Sequence, residues 1–257
     1  MKENRPYVLS IAGFDPSAGA GILADIKTIE NNEAYGLGVI SALTYQNDNA
    51  FEKVEWMSVS QIIEQLEVLQ KRFSFEYIKI GLIQNLEILN QLISFLISHI
   101  SYLKIIWDPI LKASAGFEFH KKVNLKLLED ICKQLYLITP NINEACELGR
   151  FNNAQQNAEY LSSFCNVYLK GGHDEENTGR DILFLKNKKQ LVFEASQKNI
   201  SPKHGSGCVL SSAITANLAK GMNIENACAE GKKYVSAFLA SNDSLLGYHK
   251  TRHNFTN

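Results

Sequence analysis

Cysteine is sparse in this chain and poorly spaced for structural work. The 257 residues hold five, Cys132, Cys146, Cys165, Cys208 and Cys228, an odd number with wide gaps and no CxxC pair. That pattern argues against a disulfide framework or a zinc site, and a reducing cytoplasm is the expected compartment. Long apolar runs are missing too. The longest candidate, Leu86–Leu103, is interrupted by Glu87, Asn90, Gln91 and His99, so no membrane span is expected. The opening Met1-Lys2-Glu3-Asn4-Arg5-Pro6 has no apolar core and no cleavage site, so no secretory signal is read there. Charge of one sign is not in excess either. Lys plus Arg is 26 and Asp plus Glu is 27, a net charge of −1. Such a chain has no global field to gather nucleic acid or an anionic membrane. The six histidines are scattered; His249 and His253 lie in a polar tail read as a loose terminus rather than a metal site. Linkers, internal repeats and low-complexity segments are absent.

What remains is an ordinary globular composition, 45% hydrophobic and 21% charged, in a chain long enough for a sizeable core. Short runs rich in β-branched and aromatic residues recur at Tyr7–Ala12, Gly38–Leu43, Tyr77–Leu82, Lys104–Trp107, Leu135–Ile138 and Asn166–Leu169. They are apolar on both faces, as strands of a buried parallel sheet should be. Amphipathic stretches alternate with them at Gln61–Phe73, Leu86–His99 and Leu125–Lys133. Strand then helix, repeated, predicts βαβ units. Asp181–Lys186 and Gln190–Glu194 flank the polar turn Asn187-Lys188-Lys189, which predicts an antiparallel hairpin at one sheet edge. Helices are expected at Val209–Lys220, stopped by Gly221, and at about Ile224–Ala240.

Polar residues, Gly and Pro collect where those strands end, the edge at which open parallel sheets bind ligands. Gly19-Ala20-Gly21-Ile22-Leu23-Ala24 matches the dinucleotide pattern GxGxxA. The match is weak, because Phe14–Ala18 separates the strand from the first Gly; a glycine turn into a helix fits better, and a substrate-facing loop with Asp25 in the first helical turn beyond fits best. Lys203-His204-Gly205-Ser206-Gly207-Cys208 precedes a helix, and its small residues would bare backbone N–H groups to an anion. Cys208 in that first turn would have its thiol pKa lowered; the plainer reading is a glycine cap with a buried structural Cys. Asn141-Ile142-Asn143-Glu144 is either a capping box or a helix start whose Glu144 helps hold Mg²⁺. Asp108, before Pro109, brings a second acid to the same edge. Two acids and a downstream anion hole suggest phosphoryl transfer.

Taken in order, these motifs resemble the ribokinase-like superfamily. Within it the chain is similar to the hydroxymethylpyrimidine/phosphomethylpyrimidine kinases of thiamine biosynthesis, close to the pyridoxal kinases that carry Cys in place of Asp. The resemblance rests on residues 11–27, Ala34-Tyr35-Gly36, Ser41–Asn47, Lys79-Ile80-Gly81-Leu82, Trp107-Asp108-Pro109-Ile110, Thr139-Pro140-Asn141 with Glu144, Lys170-Gly171-Gly172-His173 and His204–Cys208. It implies a three-layer αβα sandwich with a mostly parallel central sheet and a hairpin at one edge. It also implies one domain over residues 1–257, the last nine or so a polar tail.

The resemblance also implies roles. Asp25 and Gln46 would hydrogen-bond an aminopyrimidine alcohol; Gly13 would allow its close approach, and Leu82 and Ile110 would line apolar walls. Gly205, Ser206 and Gly207 would form the anion hole, and Cys208 would accept the proton of the attacking hydroxymethyl group. Lys170, Gly172 and Lys232 would bind ATP, and Asp108 and Glu144 would serve Mg²⁺. ATP and Mg²⁺ are the implied cofactors, with a monovalent cation left open, and a homodimer is implied. The reaction implied is transfer from ATP to 4-amino-5-hydroxymethyl-2-methylpyrimidine and then to its monophosphate. The sequence departs from the family at Phe14, Ala18, Leu23 and Lys203. Phe14 and Lys203 leave open a pyridoxal kinase; a silent vitamin-binding protein and an NAD(P)-binding protein are rivals of other classes.

Overall fold

The computed structural model describes residues 5–111, 123–172, 179–195 and 201–249. His173, and His253 with the tail from residue 250, lie outside them. The described strands form one nine-stranded sheet in the order β3-β2-β1-β4-β5-β6-β7-β8-β9. Its parallel centre is β1 (Tyr7–Phe14), β2 (Tyr35–Gln46), β4 (Tyr77–Ile80), β5 (Lys104–Trp107), β6 (Leu137–Ile138) and β7 (Asn166–Leu169). The expected hairpin is there as β8 (Asp181–Phe184) and β9 (Gln190–Phe193), antiparallel at one edge. The other edge carries an antiparallel strand that the sequence reading lacks, β3 (Phe51–Trp56), folded back on β2. β6 is shorter than expected, with only Leu137 and Ile138 in the ladder.

Side chains alternate across each strand, so one strand feeds two layers. Leu9, Ile11, Ile78, Ile80, Ile105 and Trp107 face a core shared with α2 (Val59–Gln70), α3 (Leu86–His99), α4 (Leu125–Cys132), α5 (Ile142–Leu148) and α6 (Ala154–Leu161). Ile106, Leu137, Tyr168 and Leu183 face the opposite way, onto α7 (Ser206–Ala219) and α8 (Ile224–Leu239). Val8 packs there against Ile29 of α1 (Gly21–Asn31) and Ala216 of α7. This is the expected three-layer sandwich. Gly221, at φ +90°, follows the C-cap Lys220 and ends α7 as anticipated.

β2 lies on one side of β1, and after β3 the chain returns to place β4 on the other. The strand order therefore reverses between β1 and β4, which is where an open α/β sheet leaves a crevice. On the α1/α7 side of these two strands two polar residues interrupt the apolar packing. Ser10 and Lys79 are direct register partners and both are fully buried.

Candidate active site

The first turn of α7 is the centre of the site. Gly205, its N-cap, sits at φ +74°, and no side chain caps the helix. A Cβ on Gly205 would lie 2.1 Å from the Gly19 carbonyl oxygen, so only glycine fits both the left-handed backbone and the close approach. Ser206 and Gly207 follow, partly exposed, at the positive end of a 14-residue helix.

Acids and a cation converge on Gly207. A Cβ built there would be 3.3 Å from Lys170 Nζ and 3.7 Å from Asp108 Oδ2. Lys170 Nζ donates to Asp108 Oδ1 at 2.7 Å and lies 3.6 Å from Glu144 Oε2. Thr139 Oγ1 and Ser211 Oγ also donate to Asp108, at 3.1 and 3.3 Å. Burial works to raise Asp108, but the ammoniums of Lys170 and Lys79 outweigh it and hold the carboxyl below its ordinary range. Glu144 goes the other way. Burial and then the Asp108 charge push it up to about 7, although Lys170 opposes them. The capping-box reading of Glu144 holds. It completes a reciprocal capping box with Asn141, and it stands beside Lys170 at the site.

Cys208 lies on the inner side of the same turn, almost fully buried, and the Gly21 amide donates to its thiol. The expected depressed thiol is not found. Burial pushes it up to about 12, with the Lys79 ammonium pulling the other way and the Asp25 and Asp108 charges adding to the rise. The helix end is polar, but the sulfur itself is enclosed.

Asp25 does not stand in the first turn of its helix, where it was expected. α1 begins at Gly21, so Asp25 falls in the second turn, facing inward with no exposed surface. Its carboxylate accepts from Lys79 Nζ at 2.7 and 2.9 Å, from Ser10 Oγ at 2.6 Å and from Ser212 Oγ at 2.8 Å. It is the hub of a buried network below the site. Lys232 is likewise engaged, donating to Asp181 Oδ2 at 2.7 Å and the Gly179 carbonyl at 2.6 Å. Asp181 also accepts from Tyr168 Oη and the Gly171 amide, so Lys232 ties α8 to the hairpin. Gly172 is exposed, with open space where a side chain would be.

The other sequence-derived residues line the crevice. Gly13 is the penultimate residue of β1, and a Cβ on it would come within 3.0 Å of Leu82 Cδ2. Gln46 ends β2, half-buried. Ile110 lines a small groove with Gly81, Ile83, Asn85, Leu86, Leu89 and Trp107 at the ends of β4 and β5.

Two residues that sequence reasoning passed over hold the loop after β1. Asp15 accepts from the Ser17 and Ala20 amides at 2.9 and 2.8 Å, and from His204 Nε2, 2.9 Å away. Burial works against the Asp15 charge, but the His204 bond and then the amide bonds outweigh it and hold the carboxyl below its usual range. This removes the dinucleotide reading of Gly19–Ala24. The loop amides that would meet a pyrophosphate already serve a carboxylate. Their spacing Asp15-x-Ser17 was visible as an Asx-type turn; the partner 189 residues away was not.

Comparison with known proteins settles the family. The family model described as phosphomethylpyrimidine kinase matches residues 15–253. The chain belongs to the phosphomethylpyrimidine kinase family. It is therefore a phosphotransferase on a ribokinase-like fold. The hydroxymethylpyrimidine/phosphomethylpyrimidine kinase of Aquifex aeolicus is 32% identical over 245 residues, covering 92% of this chain and 95% of that one. The solved phosphomethylpyrimidine kinase of Clostridium difficile 630 is 31% identical with a TM-score of 0.74, covering 90% of this chain and 98% of the other. The Staphylococcus aureus pyridoxal kinase in complex with ADP shares the fold at a TM-score of 0.80 and 23% identity, over 98% of this chain and 96% of that one. No helix among the described residues is long and apolar enough to cross a membrane.

Proposed function

We propose that this kinase moves the γ-phosphate of ATP to the hydroxymethyl oxygen of 4-amino-5-hydroxymethyl-2-methylpyrimidine, then phosphorylates the monophosphate again. The observation that carries the reading is the convergence at Gly207. An uncapped helix start, a lysine and two carboxylates meet there beside a buried thiol. Phosphoryl transfer asks for that set: amides for the equatorial oxygens, a cation, acids for a metal and an acceptor for the alcohol proton.

In this reading the amides of Gly205–Gly207 face the transferring group, and Cys208 takes the hydroxyl proton as the oxygen attacks. Burial leaves the thiol carrying its own proton, so Cys208 acts as the acceptor only in its thiolate form, the form that the Lys79 ammonium favours. Lys170 swings between Asp108 and the ATP phosphates, while Gly172 leaves room for nucleotide. Lys232 contributes to the ATP site by holding the hairpin through Asp181. Gln46 reads the pyrimidine, Gly13 lets it approach the backbone, and Leu82 and Ile110 supply apolar contact.

Asp108 and Glu144 suit Mg²⁺. Among the described residues no cluster of three or more His, Cys, Asp or Glu side chains could hold a metal, so water and phosphate oxygens would complete the shell, as Mg²⁺ prefers. Bound there, the ion would neutralise charge on the phosphates. Glu144, protonated near neutrality when its surroundings are empty, would ionise toward it.

We take residues 1–257 as one domain, because a single sheet runs from the β3 edge to the β9 edge. A cytoplasmic homodimer is the working form that fits the free cysteines and the family resemblance. The test is ADP release with MgATP and, in parallel, hydroxymethylpyrimidine, its monophosphate and pyridoxal. Turnover of both pyrimidines with weak pyridoxal activity is expected. A preference for pyridoxal would overturn the substrate assignment and leave the phosphotransfer site standing. Cys208→Ala should lower kcat far more than ATP affinity, and near-normal turnover would remove the base assignment.

A further inference from the structure

We propose that Lys79, fixed by Asp25, is a positioning residue that sets how readily Cys208 takes and gives up its proton. Its catalytic meaning rests on the reading of Cys208 as the proton acceptor; the electrostatic claim stands or falls separately.

The geometry begins with the strand ladder. Ser10 and Lys79 are register partners on β1 and β4, on the face toward α1 and α7. Residues two further along a strand share its face. Those residues are Ala12 and Gly81, the smallest available. A Cβ on Gly81 would stand 2.7 Å from Lys79 Nζ, so the lysine runs along its own strand toward the ligand edge and ends over Gly81. The missing side chain makes that path possible. At its end the ammonium meets both oxygens of Asp25. Asp25 in turn accepts from Ser212, which is four residues after Cys208 and therefore on the same face of α7. One network thus fixes the ammonium, the carboxylate and the cysteine helix together.

Lys79 and Asp25 are both without solvent exposure. Burying such a pair costs about as much desolvation as the pairing returns, so packing alone gives no reason for it. Its position does. Cys208 is faced by Lys79 from β4, Asp25 from α1, Asp108 after β5 and Lys170 after β7, with Glu144 behind Lys170, and the Gly21 amide donates to its sulfur. Of the charges acting on Cys208, Lys79 is the strongest, and it favours the thiolate. Asp25 keeps Lys79 protonated against its own burial.

The experiment follows alkylation of Cys208 by iodoacetamide at pH 8.5 in the native protein, resolved from the other four cysteines by peptide mass spectrometry. Well below the thiol pKa the rate tracks the thiolate fraction. Lys79→Met should slow it about tenfold, the effect of raising the thiol by about one unit. Asp25→Asn removes the charge that keeps the Lys79 ammonium in place and protonated, so it should slow the reaction too, by less than Lys79→Met because the carboxylate's own opposition to the thiolate is lost with it. Lys79→Arg should restore a rate near that of the parent. Loosened packing would instead speed both Lys79→Met and Asp25→Asn by exposing the sulfur. Acceleration of either variant, or no change in either, therefore overturns the proposal. Should Lys79→Met fail to fold, the Asp25→Asn and Lys79→Arg rates decide it, an unchanged or faster Asp25→Asn rate counting against it. With MgATP and the pyrimidine, Lys79→Met should also move the kcat–pH profile to higher pH. If the alkylation rates respond as stated while Cys208→Ala turns over normally, the electrostatic assignment holds and the base assignment falls.

Discussion

Asp15 gives the sharpest stability prediction, because its bonds join two segments that the chain separates by 189 residues. Its buried carboxylate accepts from two loop amides, the Ser17 hydroxyl and His204. His204 is itself anchored, its amide donating to the Leu245 carbonyl. Asp15→Ala would strand the Ala20 amide and the His204 ring among packed atoms. Each stranded donor costs about 1–3 kcal/mol, so a loss of about 3–5 kcal/mol is expected once the loop relaxes toward water. His204→Ala should cost less, since Asp15 keeps its amides. The double variant isolates the bond between them. A coupling of about 1.5–3 kcal/mol is expected for a hydrogen bond to a charged group. Urea denaturation reads it as a shift in midpoint at constant slope. Additivity within about 0.5 kcal/mol would refute the reasoning. pH gives an independent check. The folded carboxyl lies below its ordinary 3.8. Its stabilisation is thus complete above that value and drains away as pH falls through the lower, folded one. The parent should lose stability faster than Asp15→Asn on acidification below about pH 4. Since the bond joins the substrate loop to the anion-hole turn, Asp15→Asn should also raise the pyrimidine KM and lower kcat together.

Gln46→Ala should raise the KM for the pyrimidine severalfold with ATP affinity unchanged; steady-state kinetics varying each substrate in turn checks it, and a change confined to ATP would overturn its placement. Glu144→Gln should stabilise the ligand-free protein above pH 7, because the carboxyl, raised to about 7 from 4.5 by burial, is costly to ionise there. Thermal unfolding at pH 6 and 8 tests the sign, and the same variant should need more Mg²⁺ for half-maximal turnover. Gly205→Ala meets a left-handed backbone and a carbonyl at 2.1 Å. A cost of at least about 2 kcal/mol is expected, with kcat falling before Tm has dropped enough to unfold the chain, and an unaltered kcat would show that this turn tolerates displacement.

The residues that could be read from the sequence are those whose signal is local. The hairpin was legible because two alternating stretches flank a polar turn. The buried strands were legible because burial on both faces leaves an unbroken apolar run. β3 was not, since Phe51–Trp56 is an edge strand whose Glu52, Lys53 and Glu55 stay exposed, the usual dress of an edge. α7 starts three residues earlier than expected because Ser206 and Gly207 are weak helix formers, and packing on β4 and α1 overrides that preference. The Gly205–Cys208 turn, the capping box and the two acids were legible as motifs. What each side chain bonds to was not. The buried network around Asp25 was hidden because its partner Lys79 lies 54 residues on. Lys232 looked free for phosphate because Asp181 lies 51 residues back. Pairings across the sheet leave no mark on a single sequence, and in this site they decide which acids are open to ligand.

Those pairings also explain how a polar site is held by a helix buried on nearly all sides. α7 has no solvent face to orient it; Cys208 through Leu218 are buried without exception. A helix apolar all round could rotate or slide against its neighbours at little cost. Ser211 and Ser212 remove that freedom. Consecutive residues point about 100° apart, so the two hydroxyls reach different carboxylates, Ser211 toward Asp108 after β5 and Ser212 toward Asp25 on α1. These acids stand on opposite sides of the β1/β4 reversal. Rotation that favours one bond breaks the other, and sliding breaks both. The amides of Gly205–Gly207 are thereby registered against Lys170 and Asp108. Replacing either serine by alanine should therefore disturb turnover more than stability, since one of the two anchors still holds the helix in place but no longer at a single angle.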